Sequence, residues 1–182
     1  MSAQAFALFD SPIGNCGIAW NAKGIAGFHL PLSTAQATRT RLQQRWAGAV
    51  ESTPPPGVQR VIDRVLALLN GEAIDLTDIP VDLADAPEFH RKVYEVARTI
   101  PPGKTMTYGE IAKRLGAPHE SREVGQALGR NPIAIIVPCH RVLGADGKMG
   151  GFSASGGVAT KRRILEIEGA AALSAGPLFE QR

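Results

Sequence analysis

The sequence is poor in cysteine, holds no long apolar run and carries little net charge, and each shortage closes a class of function. With only Cys16 and Cys139, there are too few thiols for a disulfide scaffold or a four-cysteine zinc site. The first residues, Met1-Ser2-Ala3-Gln4-Ala5-Phe6, lack the basic stretch followed by an apolar one that marks a secretory leader. No run approaches the ~18 consecutive apolar residues of a membrane span. The expectation is a cytoplasmic protein with no membrane partner, whose thiols stay reduced. A net charge of +3 and a sequence pI near 9.1 lean toward a polyanionic partner without identifying one. Hydrophobic residues make up 44% of 182, enough for one sizeable core or two small ones.

Patterning divides the chain near residue 85, into a unit over 1–84 and a second over 85–182. Three short apolar runs, Ala5 to Phe9, Cys16 to Trp20 and Ile25 to Leu30, are broken by turn-forming residues and predict an antiparallel meander. Thr34 to Trp46 and Val58 to Leu69 read as helices, separated by Pro54-Pro55-Pro56. Gly71 to Ala84 has no period and serves as the connection. Beyond it helices dominate. Pro87 opens a helix with Phe89, Val93, Val96, Ala97 and Ile100 on one stripe. Thr107-Tyr108-Gly109-Glu110 has the form of a capping box, with a helix running to about Leu115. A second short helix over Glu120 to Leu128 completes a helix-turn-helix. The fold class is therefore α/β, a small unit with an antiparallel sheet joined to a mainly helical one.

Ile133 to Val137 is apolar and fenced by Pro132 and Pro138, which predicts an extended buried segment delivering Cys139 to the interior. Cysteine is a soft nucleophile toward carbon and partly ionised near neutrality. His140 is the neighbouring base; adjacent side chains of an extended segment diverge, so its contact with the thiol needs a turn or an intervening water, of which the water is favoured. Val158, Lys161, Leu165 and Glu168 recur at spacings of three, four and three, placing two charges on the apolar stripe of the last long helix. Of these, Glu168 is chosen to accept the His140 ring N–H and fix its tautomer.

An ordered set of motifs, Tyr108-Gly109-Glu110, Arg122, Gly129-Arg130-Asn131-Pro132, Pro138-Cys139-His140-Arg141-Val142, Gly150-Gly151 and Leu165 to Gly169, resembles the O6-alkylguanine-DNA alkyltransferases over roughly residues 85 to 170. The resemblance implies a single-turnover enzyme that moves an alkyl group from O6 of guanine onto Cys139 and keeps it. It implies His140 as base, Glu168 as its partner, Asn131 as the residue holding the active-site turn, and Lys161 as a helper near the leaving base. It implies double-stranded DNA as partner, bound by the helix-turn-helix in the minor groove. Tyr108 would rotate the nucleotide out and Arg122 would fill the gap, with Ser121, Gly125 and Arg130 at the DNA surface. Val142, Phe152 and Ser153 would line the guanine pocket. Flipping is required because a thiol cannot reach O6 of a stacked base. No cofactor or metal is implied, and nothing in the sequence suggests a dimer seam, so a monomer is expected. The first unit would support the second.

Taken singly, the residues have plainer readings: Cys139 a buried apolar side chain, Arg122 a solvated helix charge, Lys161 and Glu168 a surface pair, and Tyr108 only part of a capped helix. Cys16 keeps the plain reading. The chain also departs from the family pattern. Phe152 stands where a tyrosine hydroxyl is usual, and the loop Ser153-Ala154-Ser155-Gly156-Gly157 is longer, so Ser153 or Ser155 is a candidate substitute. Glu120 and Glu123 flank Arg122, where carboxylates repel phosphates and weaken duplex binding. These departures keep open an alternative, a non-enzymatic lesion-binding relative.

Overall fold

The computed structural model describes residues 3–173. Met1 and Ser2, on which the leader reading partly rests, and 174–182, the end of the second unit, lie outside the described residues. Strands β1 (Ala5–Ser11), β2 (Gly14–Asn21) and β3 (Gly24–His29) form the expected meander, and the short β4 (Val50–Glu51) adds parallel to β1, giving the order β3-β2-β1-β4. Both faces of this sheet are covered, so successive residues alternate between two apolar surroundings. Phe6 and Ala19 face α1 (Ala35–Arg45) with Leu42 and Trp46, whereas Ala7, Cys16, Ile18, Ile25 and Phe28 face the main core. Thr34 caps α1 by accepting from the Ala37 amide. Helix α2 (Pro56–Leu69) starts two residues earlier than its apolar periodicity suggests, because proline suits the first helical turn, whose N–H has no partner anyway.

The helical half comprises α3 (Glu88–Arg98), β5 (Met106–Thr107), α4 (Tyr108–Arg114), α5 (Ser121–Gly129), β6 (Val142–Leu143) and α6 (Gly157–Ile167). Strands β5 and β6 pair in parallel, Met106 with Val142 and Thr107 with Leu143. The capping box is complete: Thr107 Oγ1 accepts from the Glu110 amide, and the Glu110 carboxylate accepts from the Thr107 amide at 2.6 Å. Buried Tyr94 donates its hydroxyl to the Ala127 carbonyl at 2.8 Å and so fixes α3 against α5.

One apolar cluster crosses the boundary near residue 85, running from Ile18 and Phe28 through Val65 to Val93, Ile111, Val124, Ile133 and Ile164. The connection is irregular, as its lack of period suggests, but it is held tightly. Arg98 Nη2 donates to the carbonyls of Leu76, Thr77 and Ile79, and Ile25 pairs with Val81. Gly24 sits at φ +139 with the Pro80 carbonyl so near that a Cβ would fall 2.4 Å from it, which restricts the position to glycine.

Two expectations fail. Residues 133–137 are not extended: the Val137 amide donates to the Ile133 carbonyl at 2.9 Å, the Ile136 amide to Ala134 at 2.8 Å, and Ile135 adopts φ 68. The flanking prolines prevent a helix but do not impose a strand, and side-chain hydrogen bonds from Asn131 select a compact turn instead. Val158 is 41% exposed at the start of α6, so the buried stripe consists of Lys161, Ile164 and Leu165.

The packing of α1 on glycine yields a test. A Cβ at Gly27 would lie 2.1 Å from Trp46 Cζ2, in a ring that is 2% exposed. Gly27→Ala is expected to lose about 1–3 kcal/mol in urea unfolding. Gly57→Ala, whose Cβ meets nothing nearer than 3.9 Å, is expected to be neutral or slightly stabilising.

Candidate active site

Cys139 opens a 3-10 turn, Cys139–Arg141, between the compact loop and β6. Asn131 staples that loop: its Oδ1 accepts from the Ile133 amide at 2.9 Å and its Nδ2 donates to the Val137 carbonyl at 2.8 Å. The loop entrance is pinned to the sheet, since the Phe28 amide donates to the Pro132 carbonyl at 3.0 Å. A β-branched residue in the left-handed region, as at Ile135, costs of order 1–3 kcal/mol. These fixed ends hold it there.

Behind the cysteine lies a buried polar cluster. His140 Nε2 is 2.9 Å from Glu168 Oε1, with both side chains essentially inaccessible. Arg141 donates twice to the same carboxylate, Nε to Oε2 at 3.0 Å and Nη2 to Oε1 at 2.8 Å, and its Nη1 reaches the Ile100 carbonyl at 2.6 Å. Burial alone would raise the Glu168 carboxyl, but the His140 and Arg141 hydrogen bonds and charges outweigh it and hold the group at about 2. Burial lowers His140, against the pull of Glu168, so at neutral pH the ring is neutral and its charge acts on Glu168 only in the acid range. Its Nε2–H then donates to Glu168, and the remaining Nδ1 is a buried lone pair with no protein donor among the described residues.

Lys161 is fully buried and, among the described residues, pairs with no carboxylate. Its Nζ donates to the Val142 carbonyl at 2.5 Å and sits 5.9 Å from the Tyr108 ring centroid and 6.0 Å from that of Phe152. Burial lowers its ammonium to about 8, with Cys139 opposing, so it remains largely protonated at neutral pH. Burial pushes the Cys139 thiol up, against a hydrogen bond from Asn131 and the charge of Lys161. Cys16, by contrast, is pushed up to about 11 by burial in the main apolar cluster, where its sulfur meets the Ser11 hydroxyl at 3.4 Å, in keeping with a packing role.

Cys139 faces a cleft of about 1160 Å³. Of the residues singled out from the sequence, Tyr108, Ser121, Arg122, Gly125, Arg130, Asn131, Phe152 and Ser153 line this cleft with it. His140, Glu168, Lys161 and Val142 do not; they sit behind the cysteine, buried or nearly so. Tyr108 begins α4 and packs close to Gly150, where a Cβ would lie 3.0 Å from its hydroxyl. The Ser153 hydroxyl donates to the Gly129 carbonyl at 2.9 Å, pinning the long loop to the end of α5. Sequence reasoning gave Arg141 no role. A guanidinium bracketed by His140 and Val142 in an apolar stretch was the available sign that a buried carboxylate must serve it. Sequence reasoning also missed that the N-terminal half reaches the cleft.

Fold and site together define a class: an α/β protein that sets a cysteine, backed by a histidine–carboxylate–arginine cluster, in a cleft walled by a helix-turn-helix. The family described as 6-O-methylguanine DNA methyltransferase, DNA binding domain, matches residues 88–170. The methylated-DNA–protein-cysteine methyltransferase of Mycobacterium bovis is 40% identical over 94% of this chain and 96% of its own. The crystal structure of Mycobacterium tuberculosis OGT in complex with DNA superposes with a TM-score of 0.72 at 36% identity, covering 93% of this chain and 98% of that one. The O6-methylguanine-DNA methyltransferase of Pyrococcus kodakaraensis matches at 25% identity with the same TM-score of 0.72, over 91% of this chain and 99% of its own. The chain belongs to the methylated-DNA–protein-cysteine methyltransferase family.

The polar cluster makes stability depend on acidity. The Glu168 carboxyl is depressed from its ordinary 4.5 to about 2, so its contribution is complete above pH 4.5 and is lost as pH falls toward 2. It amounts to about 3 kcal/mol. Urea midpoints followed from pH 6 to pH 3 are expected to fall steeply in the native protein and less steeply in Glu168→Gln. That variant should already be less stable at neutral pH by about 3–5 kcal/mol, because Arg141 is left buried without a counter-charge. Parallel pH profiles would show that the Glu168 charge is not the cause.

Proposed function

We propose that this protein repairs DNA by moving an alkyl group from O6 of guanine in a duplex onto Cys139, once per molecule. The observation that carries the reading is the placement of Cys139 in the helix-turn-helix cleft, with a neutral, carboxylate-oriented His140 directly behind it. The Cys139 proton passes to His140 Nδ1 through a water, and the nearby Lys161 ammonium favours the thiolate. The thiolate sulfur attacks the alkyl carbon; the S–C bond forms as the C–O6 bond breaks, and the electron pair leaves on the guanine, which takes up a proton. The thioether has no route back, so there is no turnover.

Asn131 positions the turn, and Glu168 positions His140. Tyr108 and Arg122 rotate the nucleotide out and occupy its place, while Ser121, Gly125 and Arg130 meet the backbone. Phe152 and Ser153 shape the guanine site, and the Val142 carbonyl behind it holds the Lys161 ammonium. In this reading Phe152 offers a ring face but no hydroxyl, and Ser153 serves chiefly to anchor the loop. The N-terminal unit over 1–84 and the alkyltransferase unit from 85 onward act as one monomer. No helix of the described residues is long and apolar enough to cross a membrane, and the cytoplasm is the proposed location.

Incubation with a duplex oligonucleotide containing O6-methylguanine is expected to add one methyl mass to the intact protein, located on Cys139 and absent in Cys139→Ala. Retained DNA binding with no gain in mass would identify a lesion-binding protein instead. A second expectation concerns Glu120 and Glu123, both exposed at the start of α5, where Glu120 makes no side-chain cap. Replacing both with Ala should tighten duplex binding several-fold at fixed low salt, since two phosphate-repelling charges are removed. Glu123→Ala should also lose some tenths of a kcal/mol of helix stability, because an acid in the first turn suits the helix dipole. Unaltered affinity would show that the acids face away from the backbone.

A further inference from the structure

The N-terminal half does more than fill one side of the core. The cleft that holds Cys139 is also lined by Phe28, His29, Leu30, Leu32, Arg41 and Arg45, all from that half. Arg41 and Arg45 stand one turn apart on α1, on the same helix face. With Arg122 and Arg130 they make a cleft lined by four arginines and, among the described residues, by no aspartate or glutamate. Three arginines elsewhere are matched to acids, Arg39 with Glu51, Arg64 with Asp78 and Arg141 with Glu168, and Arg98 is held by backbone carbonyls. Among the described residues, no carboxylate pairs with Arg41 or Arg45.

This arrangement is unfavourable for the isolated protein. Like charges at this helical spacing repel by a few tenths of a kcal/mol. Burial, and then Arg41, lower the Arg45 guanidinium, and His29 is lowered by burial and further by both arginines. The cleft is also larger than one extruded base requires, since about 1160 Å³ exceeds the ~300–1,000 Å³ that encloses a whole drug-sized ligand. The surplus is lined by cations, and a polyanion running through the cleft would satisfy both its volume and its charge.

We propose that Arg41 and Arg45 form a phosphate clamp, by which the N-terminal half grips the DNA backbone from a wall of the cleft that the helix-turn-helix does not supply. This rests on DNA being the substrate. Guanidinium forks suit phosphate oxygens, and their contacts carry no sequence preference, so the clamp adds affinity and register while damage recognition stays with the cysteine side of the cleft.

The test is the salt dependence of binding to an undamaged, fluorescently labelled duplex, by anisotropy, with the full chain. Each phosphate contact contributes roughly 0.9 to the slope of log affinity against log salt. Arg41→Ala/Arg45→Ala should lower that slope by about 2 and weaken binding by about tenfold or more at fixed salt. Arg41→Lys/Arg45→Lys should restore most of the slope. Arg60→Ala removes one exposed charge from α2, outside the cleft lining, and should leave the slope as it is. Methyl transfer to Cys139 from O6-methylguanosine, which has no phosphate, should proceed at the native rate in every variant, whereas transfer from a subsaturating duplex should slow in the double alanine variant. If the double variant does not fold, Arg41→Gln alone should lower the slope by about 1. A native slope in the double alanine variant, or an equal loss in Arg60→Ala, overturns the clamp. Failure of the native protein to accept any methyl group, with the arginine-dependent slope intact, would instead overturn the alkyl-transfer reading and leave the clamp standing.

Discussion

The carboxylate of Glu168 is buried with three protein donors on its two oxygens, and the geometry around Cys139 depends on that pairing. A carboxylate taken out of water is tolerated only when charge and hydrogen bonds replace what hydration supplied. Arg141 supplies the charge and two of the bonds, and its remaining donor reaches the Ile100 carbonyl just beyond the end of α3. The short turn that carries Cys139 is thereby fixed at once to the end of α6 and to the end of α3. The same carboxylate decides the chemistry of His140: by accepting from Nε2 it leaves Nδ1 as the lone pair, so one ion pair sets both position and tautomer.

The other side of the turn is set by the sheet. Among the described residues, strand β3 has no strand neighbour beyond it, and that edge is used twice, by the connection at Val81 and by the active-site loop at Ile133. Edge strands seek partners because their backbone groups are unpaired. Here the partners are the connection between the two halves and the loop that carries the active-site cysteine. Ile135 keeps its unfavourable backbone only because Asn131 holds the loop from within and Phe28 holds it from without. The meander is accordingly part of the apparatus that aims the cysteine, and the continuous core across residue 85 follows from this contact.

What could be read from the sequence was what short-range chemistry decides. The meander, the capped start of α4, the two helices of the helix-turn-helix and the His140–Glu168 contact all announce themselves through period, capping residues or motif. The loop over 133–137 was misread because an apolar run between prolines is compatible with a strand or a turn, and the decision was made by the Asn131 amide, whose partners are two and six residues away. Val158 was misplaced because helical spacing identifies a stripe but not where burial begins along it. Arg141 was passed over because its partner lies 27 residues on. Arg41 and Arg45 gave no sign at all, since nothing local distinguishes an arginine facing a cleft from one facing solvent.

The electrostatics of the cleft suit a group that must react only once. A thiol that burial holds in its neutral form is a poor nucleophile and a poor target for oxidants, which protects a residue that cannot be regenerated. Asn131 and Lys161 act in the opposite direction, by hydrogen bond and by charge. Lys161 is held between Tyr108 and Phe152, whose ring faces attract an ammonium without neutralising it as a carboxylate would. A phenyl ring at 152 serves that purpose as well as a phenol. In the proposed reaction, a phenyl ring at 152 would forgo a hydrogen bond to the guanine while leaving in place the cation that favours the thiolate.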